Sequence, residues 1–319
     1  MTLNRLKPNF DSADQQALKS ALAEMETVVL GKTHQLRLAL ACLLARGHLL
    51  IEDLPGMGKT TLAQTLARVL GIACSRVQFT SDLLPADIIG ASIFNAQAQR
   101  FEFQPGPIFT PLLLADEINR ATPKAQSALL EAMEERQVSI DGETLPLPQP
   151  FFVIATQNPF SQMGTFALPE SQLDRFLMRI ELGYPDNKAE RQLLSGQNPR
   201  QRLLQLECKL PLVQLQSLQR KVDQVHLSEP LLDYVQRLVN FSRQSNEFEV
   251  GLSPRGALAL VQCARAWALL EGRNYVTPED VQQVLAPVAE HRLRGERDTT
   301  GHRGTSLARL LVDAVEVVG

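Results

Sequence analysis

His48-Leu49-Leu50-Ile51-Glu52 runs through Asp53 into Leu54-Pro55-Gly56-Met57-Gly58-Lys59-Thr60-Thr61, and a helical pattern then continues from Lys59 to Leu70. An apolar strand that turns through glycines into a helix is the setting a phosphate-binding loop requires. There, successive backbone N–H groups and the positive end of the helix face an anion. Lys59 can reach the β- and γ-phosphates of ATP, and the Thr60 hydroxyl can ligate Mg²⁺. The candidate nucleotide-binding residues are therefore Pro55, Gly56, Met57, Gly58, Lys59, Thr60 and Thr61. The pattern G-x-x-x-x-G-K-[ST] is met at Gly58, Lys59 and Thr60, whereas Asp53 stands at its first glycine. A Pro-Gly turn into an ordinary helix with a surface lysine is the competing reading of this segment alone.

Two more short, continuously apolar runs, Pro111 to Ala115 and Phe151 to Ala155, have with the first the composition of parallel strands covered by helices on both faces, and Cys74 to Phe79 is expected as a fourth strand. Helical patterns fill Ser12 to Glu26, His34 to Ala45 and Pro123 to Glu135, the last opened by Thr122 as N-cap. This alternation predicts a three-layer α/β domain with a parallel sheet. Two stretches interrupt it and read as hairpins: Ile93-Phe94 with Phe101-Glu102-Phe103, and Val138 to Ile140 with Thr144 to Leu147 around Asp141-Gly142, a favoured type I′ pair.

The run from Pro111 ends in Asp116-Glu117, two carboxylates at the C-terminal edge of a buried strand, where open α/β sheets bind ligands. Asp116 is placed to hold Mg²⁺ through its water shell, and Glu117, pointing the other way, to polarise an attacking water. The run from Phe151 ends in Thr156-Gln157-Asn158-Pro159, which brings the Asn158 amide to the same edge or simply makes an Asn-Pro turn. Arg175 and Arg255 read, without a template, as surface ion-pair partners.

A chain of 319 residues with 44% hydrophobic residues has room for a large domain and a smaller one. Its net charge of −3 offers no basic field for nucleic acid or an anionic membrane, so protein partners are favoured. Cys42, Cys74, Cys208 and Cys263 stand apart without metal-ligand spacing and are expected to be buried, reduced thiols. The sequence opens without an apolar leader and its greasy stretches are too short to span a bilayer, so a soluble cytoplasmic protein is expected. After Tyr184-Pro185 strand patterns stop, and a polar run ending at Asn198-Pro199 reads as a hinge. Helix starts at Ser228, Ser253-Pro254 and Thr277-Pro278-Glu279-Asp280 predict a small helical bundle, and Arg294 to Thr305 reads as a mobile loop before a last helix. The expected division is an α/β domain over 1–185 and a helical lid over 186–319.

Together these blocks resemble the MoxR family of AAA+ ATPases. They occur in family order: Val29-Leu30-Gly31-Lys32, the P-loop, Asp116-Glu117-Ile118-Asn119-Arg120, Leu129 to Glu135, Ala155 to Pro159, Leu168 to Phe176 and Ser253-Pro254-Arg255. The resemblance implies an AAA+ module with hairpins inserted in the second core helix and before the sensor strand. It implies Asn158 as sensor 1, Arg175 as the arginine finger given to a neighbouring subunit, and Arg255 as sensor 2 of the lid. It further implies a ring, expected to be a hexamer, that remodels or matures a client protein, often with a von Willebrand factor A domain protein as adaptor. Rival readings are an AAA+ nucleic-acid motor, against which the acidic balance stands, and a nucleotide-gated scaffold, against which Glu117 and Asn158 stand.

Overall fold

Two helices, α1 (Ser12–Glu26) and α2 (Thr33–Leu44), lead into β1 (Leu49–Glu52), α3 (Lys59–Leu70) and β2 (Cys74–Gln78). α4 (Pro85–Ile89) gives way to a hairpin, β3 (Gly90–Asn95) and β4 (Arg100–Pro105), before β5 (Leu112–Asp116) and α5 (Pro123–Glu135). A second hairpin, β6 (Gln137–Ile140) and β7 (Glu143–Pro146), precedes β8 (Phe152–Gln157), the single turn α6 (Glu170–Leu173) and β9 (Met178–Ile180). The computed structural model describes residues 12–159, 164–196, 199–295 and 306–317.

Five parallel strands form one sheet in the order β2-β5-β8-β1-β9. The unbroken apolar runs follow from its two covered faces. Leu49, Ile51, Leu112, Leu114, Phe152 and Ile154 join the core that contains Leu62 and Leu66 of α3, while Leu50, Leu113, Ala115, Val153 and Ala155 join the one that contains Ile88, Leu129 and Met133. Three of the strands, β1, β5 and β8, match the apolar runs in the sequence, and β2 forms where the fourth strand is expected, at the edge of the sheet and mostly exposed. The fifth, β9, has Arg179 at its centre, and this arginine pairs with Glu52 of β1 at 2.9 Å, so no continuous apolar run marks it. Both hairpins form where expected, and Asp141 and Gly142 take φ of 52° and 83°, the two left-handed residues of a type I′ turn.

The rest of the chain is mainly helical: α7 (Asn187–Leu194), α8 (Pro199–Leu204), α9 (Leu212–Val222), α10 (Glu229–Gln244), α11 (Pro254–Leu270), α12 (Pro278–Ala289) and α13 (Leu307–Ala314). Three expectations need correction here. Strands do not stop at Pro185, because β10 (Phe248–Val250) pairs antiparallel with β11 (Arg294–Gly295). The polar run read as a hinge folds into α7, capped by Asp186, whose carboxylate accepts the Ala189 N–H at 2.7 Å; Asn198 lies outside the described residues. Cys42 and Cys263 are buried, but Cys74, on the edge strand β2, and Cys208, in the turn before α9, are exposed.

Of the expected loop from Arg294 to Thr305, residues 296–305 lie outside the described residues, and α13 follows as anticipated. Ser253 caps α11 by accepting the Gly256 N–H at 3.0 Å, and the Asp280 carboxylate accepts the Thr277 N–H at 2.8 Å. Ser228 occupies the N-cap position of α10 without a side-chain cap bond. The helical region is not detached from the sheet. Leu36, Leu40 and Leu43 of α2 share one core with Leu215 of α9 and Leu260, Ala264 and Trp267 of α11. Among the described residues no helix is long and apolar enough to cross a membrane.

Candidate functional site

The P-loop leaves β1 at the C-terminal edge of the sheet. Gly56 and Gly58 take φ of 86° and 89°, a backbone state that costs side chains with a Cβ about 1–2 kcal/mol, and Gly58 caps α3. Pro55 and Gly56 are exposed, while Met57, Gly58, Lys59, Thr60 and Thr61 are half-buried at the mouth of α3. Lys59 Nζ donates to the carbonyl oxygen of Asp53 at 2.6 Å. Burial holds its ammonium below the ordinary lysine value, opposed by the negative charges of Asp53, Asp116 and Glu117. Lys59 therefore lies within the field of both candidate carboxylates.

The substitution of Asp53 for glycine has a physical account. Its side chain is buried and accepts three backbone N–H groups: Leu54 at 2.8 Å, Leu182 at 2.7 Å and Gly183 at 2.6 Å. The loop is tied to the segment that leaves β9.

Asp116 and Glu117 sit two strands from the P-loop, with β8 between. Buried Asp116 accepts the Thr156 hydroxyl at 2.6 Å on Oδ1 and Arg76 at 2.6 and 3.2 Å on Oδ2. The same Thr156 hydroxyl accepts the Glu117 N–H at 2.8 Å, which holds Glu117 in the left-handed conformation, φ 57°. The two carboxylates, expected to point apart, are linked through β2, where Arg76 Nη2 donates to both Asp116 Oδ2 and Gln78 Oε1 and the Gln78 amide donates on to Glu117. Glu117 Oε2 accepts Gln78 Nε2 and Arg120 Nη1, both at 2.9 Å. Asn158 follows β8 at the same edge, and its carbonyl accepts Asn119 Nδ2 at 3.2 Å.

One hydroxyl, Thr60, and one carboxylate, Asp116, are the hard oxygen donors that suit Mg²⁺, a cation that keeps several waters and takes the rest of its shell from phosphates. The Asp116 oxygen turned away from Thr156 already faces a cation, the Arg76 guanidinium, so its setting suits positive charge.

Arg175 and Arg255 come together elsewhere. Arg175 pairs with Glu134 at 3.1 Å, and Arg255 with Glu134 at 3.2 Å and Asp174 at 3.9 Å. Buried Arg292 anchors the group by binding Asp174 at 2.5 Å and the carbonyl of Phe176 at 2.7 Å. Glu134 lies near the end of α5, roughly 16 Å along that helix from its start, which follows Asp116-Glu117 in the chain. Next to it, the carbonyl of Met133 bonds His48 Nε2 at the opening of β1. The two arginines thus sit toward the N-terminal edge of the sheet, away from the P-loop of their own chain.

The sequence reading missed Thr156, Arg76, Gln78, Arg120, Glu134 and Arg292 as parts of these clusters. Alternation along the strands could have indicated Arg76 and Gln78, since both stand on β2 beside β5 in register with Leu114 and Asp116. Glu134 and Arg292 carry no such local mark, because their partners are remote in sequence.

A sheet ordered β2-β5-β8-β1-β9, with a P-loop after β1 and a helical bundle behind, defines the class of AAA+ P-loop ATPases. The profile described as "ATPase family associated with various cellular activities (AAA)" matches residues 48–178, and "AAA lid domain" matches 240–309. The chain is 44% identical to YeaC of Bacillus subtilis, covering 94% of each chain. It is 42% identical to Chaperone MoxR1 of Mycobacterium tuberculosis, over 88% of this chain and 77% of that one. The crystal structure of a candidate ATPase from Cytophaga hutchinsonii superposes with a TM-score of 0.85, at 34% identity and 95% coverage of both chains. The chain belongs to the MoxR family of AAA+ ATPases, enzymes that hydrolyse ATP.

Proposed function

We propose that this ATPase works as a homo-oligomeric ring, a hexamer, in which hydrolysis at subunit interfaces remodels or matures client proteins, with a von Willebrand factor A domain protein as adaptor. The client role takes its support from the relative named as a chaperone. The ring takes its support from one observation: Arg175 and Arg255 share Glu134 near the N-terminal edge of the sheet, whereas Lys59 and Asp116 stand at the C-terminal edge. Arginines set toward the opposite edge of the sheet from their own phosphate-binding loop suit the nucleotide of a neighbour. The proposed working division places residues 1–185 in the nucleotide-binding unit and 186–319 in the lid, and the cytoplasm is the proposed compartment.

In this reading the loop from Pro55 to Thr61 binds the triphosphate through the N–H groups of Gly56 to Thr61 and the Lys59 ammonium. Thr60 and Asp116 would supply oxygens to Mg²⁺, which when bound would neutralise charge on the phosphates. Glu117 orients and polarises the attacking water, and Asn158 holds that water against the γ-phosphate. Arg175, with Arg255 beside it, stabilises the charge that builds up in the transition state, an effect worth about 10³ to 10⁵ in rate for an arginine finger.

Mixing tests the interface. Arg175→Ala lacks the donated guanidinium and Lys59→Ala lacks the pocket, so each alone should be inactive. A mixed ring joins intact pockets to intact fingers, and activity should partly recover. If subunits are shown to exchange and the mixture stays inactive, or if Arg175→Ala alone is fully active, the trans reading is wrong.

A further inference from the structure

We infer that Asp53 is a positioning residue, which couples occupation of the P-loop to the placement of the Leu182–Asp186 segment and of α7 beyond it. The inference rests on Lys59 serving the phosphates. At the first position of the loop a glycine would supply only its backbone carbonyl. Asp53 supplies that carbonyl to Lys59 at 2.6 Å and also a buried carboxylate, which holds the N–H groups of Leu182 and Gly183 at 2.7 and 2.6 Å. Hydrogen bonds to a charged acceptor are about twice as strong as neutral ones, so two of them on one oxygen make a stiff tie.

A second buried charge grips the next residue from the other side: Lys32, in the segment before α2, donates its ammonium to the carbonyl of Tyr184. Consecutive residues 182, 183 and 184 are thus held by an acid from the P-loop and a base from the Val29–Lys32 segment. α7 rests on that same segment. Its sole buried residue is Ala189, and a Cβ added at Gly31, which has φ of 68°, would lie 2.9 Å from the Ala189 Cβ. The remainder of α7 contributes little burial, so its position follows the clamp.

When Lys59 turns to a triphosphate it leaves the Asp53 carbonyl and carries its positive charge away from the carboxylate. The N–H groups of Leu54, Leu182 and Gly183 then remain as the direct partners of the Asp53 carboxylate, and the tie to the 182–183 backbone tightens. The sequence departure at Asp53 thereby gives the nucleotide a direct mechanical link to the first helix after the sheet.

Backbone hydrogen exchange on the full chain tests this, using Mg²⁺ with the slowly hydrolysed analogue ATPγS. In the wild type, exchange across residues 182–189 should slow at least about threefold when nucleotide is added, as stronger amide bonds open less often. Asp53→Gly should bind ATPγS within about threefold of wild type while the same residues exchange quickly and ignore the nucleotide. Asp53→Asn, which keeps one acceptor oxygen, should fall between. Indifference of residues 182–189 to nucleotide in the wild type would overturn the coupling even if no variant folds. A response in Asp53→Gly equal to wild type would overturn it too, as would a folded Asp53→Gly that has lost binding tenfold or more. Failure of wild-type protein to bind ATPγS, or undiminished binding by Lys59→Ala, would instead sink the P-loop reading itself.

Discussion

Replacing Thr156 by valine keeps nearly the same shape and removes a single hydroxyl that serves both candidate carboxylate residues. The Thr156 side chain is fully buried, donating to Asp116 Oδ1 at 2.6 Å and accepting the Glu117 N–H at 2.8 Å. Loss of a hydrogen bond to a charged group costs about 1.5–3 kcal/mol, and a buried N–H left without a partner costs about 1–3 kcal/mol. Because the two losses share one site and relax together, about 2–4 kcal/mol in total is expected. Urea unfolding of the nucleotide-free protein reads this directly. Thr156→Ser keeps the hydroxyl and should lose only about 1 kcal/mol for the missing methyl. Steady-state kinetics should separate binding from chemistry: the P-loop is untouched, so ATP affinity should stay within about threefold, while kcat should fall at least about tenfold as Glu117 loses the bond that fixes its backbone. A valine variant as stable as wild type within about 0.5 kcal/mol, or indistinguishable from the serine variant, would refute the bridging role.

Lys59→Ala should abolish ATP binding, whereas Glu117→Gln should retain binding and lose hydrolysis; near-normal turnover by a contaminant-free Glu117→Gln preparation would remove Glu117 from its proposed role. Stability should fall as the medium is acidified below about pH 6.5, the ordinary histidine value. Burial, helped by the Arg136 charge, pulls His48 down to about 4, so the unfolded chain takes up the proton first. Between about pH 6.5 and 4 this group alone should remove about 1.4 kcal/mol per pH unit, and buried His291, also lowered, acts with the same sign. Urea midpoints that are flat or rise from pH 7 to pH 5 would contradict this. Double-stranded DNA at physiological salt should neither bind tightly nor raise ATPase activity, because a net charge of −3 provides no field for phosphates; submicromolar, salt-sensitive binding would favour the motor reading.

The α/β class was legible because a strand buried on both faces must be apolar throughout, as Leu112-Leu113-Leu114-Ala115 and Phe152-Val153-Ile154-Ala155 are. The P-loop and Asp116-Glu117 were equally legible as candidates, since each lies within one strand-and-turn segment whose chemistry is local. β9 was not, because a three-residue edge strand with a central arginine leaves no periodic signal. Arg175 and Arg255 were assigned only through a family resemblance, and their common partner Glu134 was invisible because it lies 41 and 121 residues away in the chain. Asp53 was visible only as an irregularity. Its reason, the amides of Leu182 and Gly183, lies some 130 residues downstream, a separation no motif spans.

The single core shared by α2, α9 and α11 bears on how far the architecture is modular. Trp267 of α11 lies edge-on to His34 at 5.6 Å and under the guanidinium of Arg37 at 4.9 Å, so the bundle is keyed to side chains on the first turns of α2. Gln219 of α9 is likewise buried and bonds the carbonyl of Leu43 at 2.8 Å. A lid grafted from a relative would have to bring its own version of α2 with it, since the socket that receives the bundle is written near the beginning of the chain. A fragment cut at the proposed boundary after residue 185 would carry the leucine face of α2 into water, and aggregation rather than an isolated working domain is its expected fate.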